Sequence, residues 1–263
     1  MTANTKIAFV SLLKRIPCDV IFDIGSCDGQ QSLLFRRCHP AASIVAFEAN
    51  PHNFARMSGN GLLAKNNIRI YPHAVCNRNG TATFFVTDVD HDDPDQNRGT
   101  SSLLEHPGID ERCPVSVETV RLDSFVQTNF ADSQLMALWI DVEGAEYAVL
   151  ETCDALRSRI ALVHVETAES PIQAGQRPLS ELTALMTRFG FAPVASSITP
   201  KRNLGDVVFI NTKLLNANGW WVRTAQLEGR LGHVFAISRI ATFTKRRAPA
   251  LHQVLRVLFS RLV

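Results

Sequence analysis

The sequence predicts an α/β fold: a mostly parallel β-sheet with helices on both faces. Three observations predict it. Short runs rich in Val, Ile and Phe are apolar at nearly every position, as strands buried on both faces must be. These runs alternate with segments of helical period. The first run passes into a helix through a turn carrying Gly25 and Gly29, the place where such sheets bind ligands.

The elements follow in order. Ile7 to Leu13 is an apolar run between Lys6 and Lys14, with no small-residue cleavage site after it. It reads as a first helix on the body rather than a signal peptide. Val20 to Asp23 is a buried strand, and Gly29 to Arg37 a short helix with Leu33, Leu34 and Phe35. Ile44 to Phe47 is a second strand closed by Glu48. Asn50 then caps a helix that Pro51 starts. Ile68 to Tyr71 is a third strand. Thr81 to Val86 and Val115 to Val120 alternate like strands, with a long polar loop between them. Loops of that length in compact domains usually serve function. Leu135 to Ile140 is a strand, Tyr147 to Leu156 a helix, and Ala161 to Val165 another strand. Leu179 to Phe189 is a helix ended by Gly190, and Val207 to Ile210 a last strand.

Composition sets bounds. With 263 residues, 46% hydrophobic and 20% charged, the chain is globular rather than disordered. No stretch has the run of apolar residues that a membrane span requires. The net charge of +2 hides an asymmetry. Residues 214–263 carry 8 of the 27 basic side chains but only Glu228 of the 25 acidic ones. The expected organisation is therefore a mildly acidic domain over residues 1–213 and a basic, partly helical extension over 214–263. Cys18, Cys27, Cys38, Cys76, Cys113 and Cys153 form no CxxC pair, and no Cys/His cluster has zinc spacing. Unpaired thiols point to a reducing compartment and hence to the cytoplasm.

Chemistry concentrates after the strands. Asp23-Ile24-Gly25-Ser26-Cys27-Asp28-Gly29 is a strand-to-helix turn, but its glycines lack the dinucleotide spacing. Asp23 would repel a phosphate and suits a ligand amino group. Glu48, at the end of the second strand, is placed to accept ribose hydroxyls. An amino-acid moiety beside Asp23 and a ribose on Glu48 together describe S-adenosylmethionine. In Ile140-Asp141-Val142-Glu143-Gly144-Ala145-Glu146, three acids crowd a turn from buried strand into helix. Acids in a first helical turn complement the helix dipole, which accounts for Glu146. Asp141 still belongs to the strand end and needs a polar partner or ligand.

These segments resemble the FkbM family of S-adenosylmethionine-dependent methyltransferases: Phe22 to Gly25, Phe47 to Pro51, and above all the run from Asp141 to Glu146. His73-Ala74-Val75, Thr100 to Leu103, Leu122-Asp123 and Val163 to Glu166 match as well. The resemblance spans roughly residues 18–210. It implies the class I methyltransferase (Rossmann-like) fold, with a seven-stranded sheet whose last strand is antiparallel. It also implies methyl transfer to oxygen, on hydroxyls of sugars in glycans and glycolipids or on macrolides. Carried over to this sequence, Asp23, Gly25, Ser26 and Gly29 surround the methionine part. Glu48 holds the ribose, Ala49 and Ala74 lie near the adenine, and Asp141 stands close to the reacting end. Ser101 and Ser102 belong to a loop over the site. The first turn departs from the family's Gly-Ala-Asn-x-Gly but keeps small residues in Ser26 and Cys27.

A sugar hydroxyl is a weak nucleophile, so a general base is expected. The candidates are Asp141, His164 and Glu166, with Glu166 ending its strand and His164 on the same face by period two. Asp141 with Glu166 also has the chemistry of a Mg²⁺ site; the expectation is that no metal is needed. Asp88 to Asp93 lacks the glycine of a calcium loop. Asp141-Val142-Glu143-Gly144 cannot stack a flipped base and the body is acidic, so no nucleic-acid substrate is expected. The alternatives are a macrolide or polyketide acceptor, or a non-catalytic cofactor-binding interaction protein. In the tail, Leu251, Val254, Leu255, Leu258 and Leu262 recur at helical spacing among arginines. Residues 243–263 therefore suit peripheral contact with an anionic membrane, or packing on the body or on a second copy in a homodimer.

Overall fold

The computed structural model describes residues 4–87, 99–106 and 112–213. The acidic loop at 88–98 and the basic extension at 214–263, with its expected membrane or dimer contact, lie outside the described residues. Among the described residues no helix is long and apolar enough to cross a membrane.

The described residues form ten strands: β1 (Val20–Ile24), β2 (Ser43–Phe47), β3 (Ile68–Tyr71), β4 (His73–Val75), β5 (Gly80–Thr87), β6 (Arg112–Val120), β7 (Met136–Ile140), β8 (Ile160–Ala168), β9 (Phe191–Ser196) and β10 (Leu204–Asn211). Among the described residues seven helices accompany them: α1 (Thr5–Leu13), α2 (Gln30–Cys38), α3 (Pro51–Ser58), α4 (Gly61–Lys65), α5 (Leu122–Asn129), α6 (Glu146–Glu151) and α7 (Leu179–Arg188).

The main sheet has seven strands in the order β3-β2-β1-β7-β8-β10-β9. Pairings among β3, β2, β1, β7 and β8 are parallel. β10 runs antiparallel to both β8 and β9. This is the expected doubly wound sheet with its reversed final strand. Pro193 in β9 is tolerated because β9 is an edge strand, where a missing N–H breaks no inner ladder. Thr81–Val86 and Val115–Val120 do not join this sheet. They form, with β4, a separate three-stranded layer in the order β4-β6-β5. Their half-polar alternation is the reason: the main sheet accepts only strands apolar on both faces.

Alternate residues of each strand feed two cores. Phe22, Ile24, Val163 and Val165 pack with Phe125 of α5, Val149 of α6 and Leu182 of α7. Ile21, Trp139 and Ala161 pack with Phe9 of α1, Phe35 of α2 and Met57 of α3. Phe9, Phe22 and Phe35 are fully buried, each worth roughly 1.5–3 kcal/mol in area removed from water. Helix α1 does lie on the body. Its Thr5 hydroxyl donates to Asp206 Oδ2 on β10 at 3.0 Å. Asn50 caps α3 as expected: its Oδ1 accepts the His52 N–H at 2.9 Å, with Pro51 in the first turn. Helix α6 begins at Glu146 and closes at Glu151, shorter than its apolar pattern suggested. All six cysteines are free.

Candidate active site

Strand order reverses at β1, which has β2 on one side and β7 on the other. The chain ends of these strands therefore diverge and leave a crevice. Ile24, Gly25, Glu48, Ala49, Ala74, Phe84, Asp141 and Val142 are among the residues lining it, around about 500 Å³ of space.

Gly25 is required by close approach. Its φ is +83°, and a β-carbon there would stand 1.7 Å from the Asp141 carbonyl oxygen. The backbones of β1 and β7 thus touch directly beneath the crevice. The Gly25 and Ser26 N–H groups both donate to the Phe47 carbonyl at 3.0 Å, tying the turn to β2. Cys27 adopts φ 56°, a left-handed conformation that costs a non-glycine residue roughly 1–2 kcal/mol. Its N–H donates to Glu48 Oε2 at 2.6 Å, which helps hold it there. Gly29 turns the chain into α2 at φ +79°, against Leu63.

Glu48 is 6% exposed, and its other oxygen, Oε1, accepts the Asn50 N–H at 2.8 Å. Burial outweighs these bonds and pushes its carboxyl up to about 7. Two backbone donors orient both oxygens and leave lone pairs for ligand hydroxyls. Ala49 and Ala74 lie beside Phe84 and Leu103 in a small apolar cluster, and together they form a flat wall.

Asp23 sits differently from the expectation. It does not line the crevice but is buried under the turn. Its Oδ2 accepts the hydroxyls of Ser26, at 2.7 Å, and Ser32, at 2.5 Å. Its Oδ1 is buried with no hydrogen-bond partner, and burial raises its carboxyl above the ordinary range. Ser26 is likewise buried beneath the turn, so its side chain braces Asp23.

Asp141 stands at the end of β7, its N–H donating to the Ile24 carbonyl at 2.9 Å. Its carboxylate and those of Glu143 and Glu166 come within 4.8 Å of one another. A divalent cation would fit such a set, and so does a shared proton. Burial, with Asp206 and Asp23 nearby, pushes Asp141 up to about 6, against a hydrogen bond with Glu166. Glu166 is pushed further, to about 9, by burial and then by Asp141 and Glu143. Burial and mutual repulsion thus favour a proton on this carboxyl pair, with Glu166 pushed up further than Asp141.

His164 is not brought to this group. It lies inside the sheet, 2% exposed, stacked on Trp139 and edge-on to Phe9. Its Nε2 stands 3.8 Å from Asp206 Oδ1, beyond hydrogen-bond reach, and neither ring nitrogen has a hydrogen bond. Burial pulls its imidazole down to about 3, so it remains neutral. The residues that period two placed on one face are there, but His164 lies two positions deeper than Glu166.

Ser101 and Ser102 do reach the site. Ser101 Oγ accepts from Asn50 Nδ2 and from the Thr87 N–H, both at 3.1 Å. Ser102 Oγ donates to the Glu143 carbonyl at 2.6 Å. Glu143 has φ 55°, so this bond helps hold a strained backbone in place. Glu146, 3% exposed, accepts the Gly144 N–H at 2.8 Å and closes the same turn. Other crevice residues, Asn53 and Phe84 among them, escaped sequence reasoning. Asn53 follows the Asn50-Pro51 cap by one helical turn, a spacing that points it back toward the strand ends.

The profile of the methyltransferase FkbM domain matches residues 23–193. The chain belongs to the FkbM methyltransferase family. The 2-O-methyltransferase NoeI of Sinorhizobium fredii strain NGR234 is 31% identical over 212 residues, covering 78% of this chain and 84% of that protein. Two solved structures align with parts of this chain. Methyltransferase FkbM from Methylobacillus flagellatus KT aligns with a TM-score of 0.46 at 11% identity, over 74% of this chain and 44% of that one. Magnesium protoporphyrin IX methyltransferase from Synechocystis PCC 6803, solved with S-adenosylmethionine bound, aligns with a TM-score of 0.43 at 9% identity, over 79% of this chain and 76% of that one.

This FkbM methyltransferase uses S-adenosylmethionine. The crevice fits that cofactor: the Gly25 backbone lines it without a side chain, with a carboxylate at Glu48 and apolar residues at Ala49 and Ala74.

Proposed function

We propose that this FkbM methyltransferase methylates a hydroxyl of a sugar in a glycan or glycolipid, with Asp141 as general base. One observation carries the reading. Asp141 lines the cofactor crevice, while Glu143 and Glu166, whose carboxylates surround it, line a second cavity alongside. The base thus stands where donor and acceptor would meet. The relative's name, a 2-O-methyltransferase, supports an oxygen acceptor.

In this reading Glu48 takes the ribose hydroxyls, Ala49 and Ala74 flank the adenine, and the turn from Gly25 to Gly29 holds the methionine end. Asp23, out of the crevice, keeps that turn in shape through Ser26 and Ser32. When bound, the cofactor supplies a methyl group on a sulfonium, already activated for displacement by an in-line oxygen. Positioning is then most of the catalysis. Asp141 accepts the proton leaving the hydroxyl, and the Glu166 proton steadies Asp141 in its ionised form.

The test is methyl transfer from radiolabelled S-adenosylmethionine to neutral oligosaccharides, glycolipid extracts and macrolides. Label in carbohydrate is expected. Label in macrolides alone would sink the sugar reading.

A further inference from the structure

The second cavity holds about 580 Å³. Thr100, His106, Glu143, Glu166, Gln173 and Gln176 are among the residues that line it. Two features distinguish it. First, no lysine or arginine is among its described lining residues. Second, two of its polar atoms are buried with no hydrogen-bond partner: Gln173 Oε1 and His106 Nδ1.

Gln173 is 7% exposed and firmly held. Gln176 Oε1 accepts the Ile172 N–H at 2.7 Å and the Gln173 N–H at 3.3 Å, and the Gln176 N–H returns to the Gln173 carbonyl at 3.2 Å. The side-chain oxygen of Gln173 lies against Gly144, where a β-carbon would come within 2.8 Å of it. Gly144 has φ +102°, so the position takes glycine on both counts. These bonds fix the backbone at Gln173, and burial keeps its side-chain amide beside the acidic turn that follows β7. A buried carbonyl oxygen without a donor is costly, and a ligand hydroxyl would relieve it.

We propose that this cavity is the acceptor subsite, that it selects an uncharged polyhydroxylated ring over an anionic one, and that Gln173 sets this specificity. One hydroxyl of the ring reaches Asp141 and Glu166; another donates to Gln173 Oε1. A uronate or sugar phosphate would meet carboxyls and, among the described lining residues, no lysine or arginine. The proposal rests on the reading of the acceptor as a carbohydrate.

The experiment is saturation-transfer NMR on the full-length protein loaded with S-adenosylhomocysteine. The probes are methyl glycosides of neutral hexoses, the matching uronates and the matching sugar phosphates. The wild type is expected to bind neutral glycosides and to reject the charged ones. Gln173→Leu, close in shape, is expected to weaken neutral binding about tenfold, the size of one lost hydrogen bond. Calorimetric affinity for S-adenosylhomocysteine should be unchanged in that variant. Gln173→Arg is expected to admit uronates. Unaltered neutral binding by Gln173→Leu, or equal binding of charged probes by the wild type, overturns the subsite. Should no glycoside bind any form while S-adenosylhomocysteine still does, the carbohydrate reading falls, and this assignment with it.

Discussion

The imidazole of His164 lies flat on the indole of Trp139, with ring centroids 3.5 Å apart and planes 4° apart. The two residues are register partners on neighbouring parallel strands. Phe9 from the first helix packs edge-on against both rings, at 5.4 Å and 5.7 Å. The histidine therefore acts as a flat packing element between sheet and helix.

His164→Phe is accordingly expected to leave kcat within about twofold of wild type, because the reacting atoms are elsewhere. His164→Ala should cost about 3 kcal/mol through the cavity it opens, read as a lower urea midpoint. A collapse of kcat in a folded His164→Phe protein would return histidine to the chemistry.

Gly25→Ala tests the contact between the first strand and Asp141. The added carbon would overlap the Asp141 carbonyl oxygen at a backbone angle that L-residues avoid. Loss of measurable S-adenosylmethionine binding is expected, together with destabilisation of roughly 3 kcal/mol or more. Gly61→Ala, where the new carbon meets nothing within 4 Å, serves as the control.

The carboxyl pair should shape the pH profile. Activity is expected to rise with pH through about 6, as Asp141 loses its proton. It should then change again near 9, where Glu166 titrates. Asp141→Asn is expected to lower kcat by about 10²–10⁴, and Glu166→Gln to remove the alkaline transition. If a shared proton rather than a cation joins these carboxyls, activity is expected to survive exhaustive chelation. Its loss on chelation and return with Mg²⁺ would replace the proton by a cation.

Stability should fall as pH rises. Burial pushes both Glu48 and Glu146 up to about 7 from 4.5. Between those values the folded chain holds protons that the unfolded chain has lost, so unfolding free energy declines with pH. The contribution is complete below about 4.5 and gone above about 7. In calorimetry without ligand, the melting temperature is expected to be higher near pH 6 than near pH 8.5. Glu146→Gln should flatten the difference; an unchanged slope would remove Glu146 as its source.

Much of the site could be read from local pattern. A run of apolar residues closing on Glu48 or Asp141 tells that the acid is at a strand end, because a sheet of this class exposes only its ends. The Asn50-Pro51 cap was legible for the same local reason. The second sheet was not: alternation identifies a strand but not its partners. Asp23 misled because a strand-end acid faces either the crevice or the layer beneath it. Ser32, nine residues along the chain, settles it by packing underneath.

Residue identity alone, then, determined which strands are buried, where the turns fall and which acids gather at them, since these follow from periodicity and backbone sterics within a few residues. What each acid or base is able to do was determined by burial and by charges brought together from distant segments. Burial between Phe9 and Trp139 pulls His164 down, and burial with Asp141 and Glu143 nearby pushes Glu166 up. Ionisation depends on the local dielectric and on neighbours through space, and neither is written in the order of the chain.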